Sequence, residues 1–140
     1  MMNRIVKLVA VALMLCIVPC MAERSENEKI AVSGAEKWLS LVDAEKYAES
    51  WTESAELFRN AVTQDQWKSA AKAARQPLGK LISRKIKSTT YKTSLPGAPD
   101  GEYVVIQFES SFENKKVAVE TITPMKDTDG KWRVSGYFIK

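Results

Sequence analysis

Along the chain the spacing of apolar residues changes period once, from helical to extended. Ala35, Trp38, Leu39 and Val42 fall at i, i+3, i+4 and i+7, one stripe of a helix. Ser33 followed three residues later by Glu36 predicts a capping box at its start. Asp43 can cap a second short helix presenting Tyr47, Ala48 and Trp51, and Thr52 a third presenting Ala55, Phe58, Ala61 and Val62. Thr63 and Gln66 repeat the capping spacing before a lean stripe of Trp67, Ala70, Ala71 and Ala74. Pro77 should end that helix, because its ring clashes with helical backbone and it offers no N–H. Beyond it the period is near two. Residues 83–93, 102–112, 117–125 and 131–139 read as four strands joined by short turns at 95–101, 113–116 and 127–130. Helices followed by such a run predict an α+β fold: N-terminal helices packed on a four-stranded antiparallel meander sheet.

The first 22 residues, MMNRIVKLVAVALMLCIVPCMA, break this pattern. Arg4 and Lys7 precede an eleven-residue apolar stretch, too short for the roughly 20 residues a membrane span needs. A small residue, Ala22, closes the segment, so residues 1–22 read as a secretory signal peptide and the protein as periplasmic. A lipid anchor on Cys20 is the rival cut, disfavoured because Pro19 stands where a small residue is wanted. No later apolar run offers a transmembrane segment for the mature chain. Residues 23–30, mostly charged, read as a flexible lead, and 31–140 as one domain.

Removing the leader changes the chemistry on offer. Both cysteines lie inside it and the chain has no histidine, so disulfides, thiol nucleophiles, histidine triads and the usual zinc sites drop out. The charge falls from +4 to +2, since the leader holds two bases and no acid. The basic run RQPLGKLISRKIK (75–87) lacks the glycine pattern of a phosphate loop, and strand alternation sends Arg84 and Lys85 to opposite faces. Nucleic acid is not an expected partner, and no cofactor, metal site or catalytic set is expected either.

The candidates that remain are a sheet row and a helix pair. A two-residue turn at Asn114-Lys115 and a turn centred on Thr128-Asp129 would align Glu109, Glu120 and Tyr137 in one cross-strand row. That row belongs to the face opposite Val104, Ile106 and Phe108. Opposed carboxylates need a cation, a shared proton or a ligand between them, the start of an acid–base or binding site. The same face can equally be solvated or form a homodimer surface, and a one-residue bulge would abolish the row. Tyr47 and Trp51, four apart on a short helix, could line the mouth of a cavity or serve as core anchors. Trp38, Trp67 and Trp132 read as core.

The blocks WLSLVD (38–43), Ser50-Trp51, RQPLG (75–79), PGAPDGEYVVIQ (96–107), ETIT (120–123) and DGKWRVSGY (129–137), with Tyr47, resemble the bacterial domain-of-unknown-function 4019 family from about residue 31 to the end. That resemblance implies an exported bacterial protein with a cone-like fold, similar to nuclear-transport-factor-2-like or cystatin-like domains. It implies no substrate and no catalytic residues. Two classes of function stay open: a non-enzymatic module binding a small ligand or protein, and an enzyme using a carboxylate and tyrosine in a helix–sheet cavity.

Overall fold

The computed structural model describes residues 18–140, with side chains from Glu23 onward. Residues 1–17 of the expected signal peptide lie outside the described residues. Four helices precede four strands: α1 (Val18–Asp43), α2 (Tyr47–Thr52), α3 (Glu56–Ala61), α4 (Gln64–Arg75), a 3-10 turn (Gln76–Leu78), then β1 (Leu81–Lys92), β2 (Tyr103–Phe112), β3 (Lys115–Lys126) and β4 (Trp132–Ile139). The strands pair in sequence order, all antiparallel, as the meander reading requires.

The start of α1 differs from expectation. Residues 23–30 are helical rather than a flexible lead, and Ser33 and Glu36 lie inside α1 rather than at its start. No Pro interrupts 23–43, and an Arg24–Glu28 pair one turn apart (3.5 Å) supports the helix. The Arg24 guanidinium also lies 5.2 Å from the centre of the Tyr91 ring, tying this end of α1 to β1. By contrast, the capping box at Thr63 forms in full. The Gln66 N–H donates to Thr63 Oγ1 and the Thr63 N–H to Gln66 Oε1, an arrangement worth about 1 kcal/mol.

The core lies between α1 and the sheet. Ala31, Ala35, Trp38, Leu39 and Val42 form the buried stripe of α1, and Val104, Ile106, Phe108, Ile122 and Val134 answer it. Trp38 packs 5.5 Å from Trp67 and 5.4 Å from Tyr137, ring centre to ring centre, and Phe58 meets Trp67 edge-on. These rings pack against one another between helices and sheet. Both sheet edges are guarded. The Ala55 N–H donates to the Val134 carbonyl at the β4 edge, and β1 carries exposed Lys85, Lys87 and Lys92 with two register irregularities.

The register corrects the predicted sheet row. The β2–β3 turn is Glu113-Asn114, one residue earlier than expected, and Glu120 faces Phe108 instead of Glu109. That turn is held from outside the hairpin: Glu113 Oε1 accepts from the Lys80 N–H, and Asn114 Nδ2 donates to the Pro77 carbonyl. In the β3–β4 pair Thr123 opposes Gly136 while Pro124 opposes Val134, leaving Ser135 as an extra residue. Pro124 cannot donate to a ladder, and in an interior strand proline belongs at such a bulge. The Ser135 hydroxyl donates to the Thr123 carbonyl there. The extra residue flips the faces of β4: Val134 and Tyr137 both point to the helices, while Phe138 is 56% exposed.

Candidate functional site

One residue of register moves Glu120 from the open face into the interior, where it is 0% exposed. An unpaired carboxylate there would be prohibitive. Its Oε1 instead accepts from Arg84 Nε (2.7 Å) and the Ser110 hydroxyl (2.6 Å), and its Oε2 accepts from the Tyr137 hydroxyl (2.5 Å). Arg84 continues outward to Asp43, donating from Nη1 to Oδ2 and from Nη2 to Oδ1. Arg75 Nη2 also donates to Asp43 Oδ1 at 2.7 Å. The charges cancel: two arginines, one aspartate, one glutamate.

Each member is placed by a different element. Asp43 ends α1 rather than capping α2, a position where the helix dipole disfavours an anion and the two arginines offset it. Arg75 is the last residue of α4, Arg84 comes from β1, Glu120 from β3 and Tyr137 from β4. Burial pushes Asp43 upward, but the hydrogen bonds from Arg84 and then Arg75 win, holding it below the ordinary carboxylate range. Burial, then the neighbouring Glu120 charge, pushes the Tyr137 phenol far above its usual range. Arg84 is opposed by burial and held charged by Asp43 and Glu120. A cluster so paired clamps helices to sheet, and Glu120 has no exposed face to offer a substrate.

Of the predicted site residues, the structure brings together Glu120 and Tyr137, as diagonal neighbours on the core face. Glu109 is elsewhere, on the outer face, paired with Lys85 at 3.2 Å. Trp51 anchors the helical layer, its indole N–H donating to the Val62 carbonyl. Tyr47 is 8% exposed and lines a separate pocket of about 620 Å³ with Asp43, Glu45, Arg75, Gly79 and Glu113. Gly79 is required at its wall: φ is +74°, and a Cβ there would come within 3.0 Å of Glu113 Cβ. Asp43, Arg75 and Arg84 were not among the candidates. Nothing in local spacing joins residues 32 to 41 positions apart.

A third feature was also unforeseen. An open groove of about 1210 Å³ runs along α1 from Glu26 to Leu41, between it, Glu49 and Glu53 on one side and the β3–β4 turn on the other. Ile30, Lys29 and Lys37 line it from the helix, and Lys131, Trp132 and Arg133 from the sheet. Trp132 differs from the other tryptophans. The indole N–H groups of Trp38, Trp51 and Trp67 all donate within the protein. That of Trp132, half-buried at the groove, makes no hydrogen bond among the described residues. Among the described residues there is no cluster of acidic side chains able to hold a metal, and no helix long and apolar enough to cross a membrane.

A helical layer over an antiparallel four-stranded sheet, sealed by a buried ion network, thus defines a small α+β domain. The chain matches the model of the family described as protein of unknown function (DUF4019) over residues 34–137, and it belongs to that family. No curated protein matches it.

Proposed function

We propose that the protein is an exported, non-enzymatic binding domain of the bacterial periplasm, holding a polypeptide segment in the groove along α1. The observation that carries this reading is the groove itself. At about 1210 Å³ and open, it is larger than the roughly 300–1,000 Å³ of ordinary small-molecule sites. Its apolar positions, Ile30 and the face of Trp132, are flanked by charges without ion-pair partners among the described residues: Lys29, Lys37 and Lys131 against Glu26, Glu49 and Glu53. An aromatic anchor inside a polar rim is the usual composition of a protein-binding surface.

Export is supported by the leader and by what cleavage after Ala22 would leave. Glu23 and Glu26 would then lie in the first turn of α1, where the helix dipole favours anions. The helices over a four-stranded meander also support a nuclear-transport-factor-2-like or cystatin-like assignment. A homodimer through the outer sheet face is the competing occupant. That face mixes Val105, Val119 and Phe138 with Gln107, Thr121 and Thr123.

A photo-activatable residue at position 30, expressed in a native bacterial host, tests the reading. The expected result is a discrete heterotypic adduct, with no such adduct when the probe replaces exposed Val117 on the outer face. Adducts from position 117 alone, or self-adducts from both, would overturn it. Fractionation with N-terminal sequencing should find a periplasmic chain beginning at Glu23.

A further inference from the structure

The pocket of about 620 Å³ at the junction of α1, α2 and the 3-10 turn lies apart from the groove. Two observations there point to a ligand. Tyr47 lines the pocket and is 8% exposed, yet its hydroxyl makes no hydrogen bond among the described residues. Desolvation, then the charge of Glu45, raises its pKa. Glu45 is the only described non-glycine residue with positive φ (59°). It stands at the end of α1, where the Lys46 N–H reaches back to the Leu41 carbonyl, a position that favours glycine. A glutamate is held there at a conformational cost, with its side chain lining the pocket.

The chemistry of the lining selects the class of ligand. Asp43 is already neutralised by two arginines and is 21% exposed, so its edge can still accept. Glu45 and Glu113 accept, Lys80 donates, and Tyr47 does both. A bare cation would face Arg75 and Lys80, and an anion the three carboxylates. Hydroxyl groups, which donate and accept, meet both sets. The volume lies within the range of small-molecule sites. We infer that this pocket is a second binding site, for a small neutral polyhydroxylated ligand of the saccharide class.

Amide chemical shifts of the full mature chain, followed during titration with glucose, maltose and N-acetylglucosamine, test it, with lysine and citrate as charged controls. At least one sugar should give saturable shifts at 43–47, 76–80 and 113, at concentrations up to about 50 mM, which reveals even millimolar sites. No saturable shift from any sugar, or equal shifts from a charged control, would overturn the assignment. Tyr47→Phe should weaken that binding about fivefold, the loss of one hydrogen bond. Glu45→Gly separates ligand from scaffold: it should raise the thermal midpoint by relieving the positive φ while weakening sugar binding. Unchanged affinity in a stabilised Glu45→Gly protein would contradict the inference. Lys29→Glu, in the groove, should leave sugar binding as it was, so this site and the groove fail or stand separately.

Discussion

The buried network around Glu120 and the groove along α1 are both rich in charge, and they use it in opposite ways. In the network the carboxylates are fully bonded, Glu120 to Arg84, Ser110 and Tyr137 and Asp43 to both arginines, and only Arg75 Nε and Nη1 lack partners among the described residues. In the groove the ammonium groups of Lys29, Lys37 and Lys131 and the Trp132 indole N–H make no hydrogen bond or ion pair among the described residues. Satisfied charge inside a protein fixes geometry, because removing one member strands the rest. Unsatisfied charge beside a half-buried aromatic ring is available to something else. We therefore propose a structural role for the first region and recognition for the second.

Breaking the network should therefore produce the largest effect. Arg84→Met removes the donor shared by Glu120 and Asp43. Chemical denaturation should show a loss of about 3–5 kcal/mol, the cost of leaving a buried charge uncompensated. Tyr137→Phe keeps the ring against Trp38 but deletes the hydroxyl that donates to Glu120. The expected loss is about 1.5–3 kcal/mol, as for a hydrogen bond to a charged group.

Titration probes the same region more gently. The depressed Asp43 pKa contributes stability that is present above the unfolded value of about 3.9 and lost as pH falls through the lower folded value. Melting between pH 2 and 6 (roughly, the window that brackets these values) should show a steep acid limb in the wild type and a flatter one in Asp43→Asn. Tyr137 has the opposite sign. Its raised pKa gives stability that is full below about pH 10 and lost as pH rises. Smallest of all, Lys29→Glu with Lys131→Glu in the groove should change stability by no more than about 0.5 kcal/mol, whatever it does to binding.

Much of the fold could be read locally because its causes are local. The Thr63–Gln66 spacing found a real cap, although the same spacing at Ser33–Glu36 lies inside α1; Pro77 marks the end of α4, and alternation finds four strands. Register is a different kind of quantity. It depends on Glu113 and Asn114 being tied to Lys80 and Pro77, and on Pro124 forcing Ser135 out of the ladder. Each shift is a residue or less in turn placement, yet one moved Glu120 from a solvated row to the core, and the Ser135 bulge turned Tyr137 after it. Glu120 and Tyr137 still meet, but diagonally through a hydrogen bond, since Glu120 faces Ile139 and Tyr137 faces Ile122. Asp43, Arg75 and Arg84 carried no sequence signal, since what joins them is the convergence of α1, α4 and β1. Trp132 resembled a core residue, and its half-burial and its indole N–H without a partner among the described residues distinguish it from Trp38 and Trp67.

The central claim is that recognition belongs to the groove and the Glu120 cluster is scaffold. Cross-linking yield from a photo-activatable residue at position 30 should be compared in three folded proteins: wild type, Tyr137→Phe, and Lys29→Glu with Lys131→Glu. The account predicts an undiminished adduct in Tyr137→Phe despite its lower stability, and loss of the adduct in the doubly charge-reversed protein. An adduct lost with the Tyr137 hydroxyl and retained after charge reversal would contradict it.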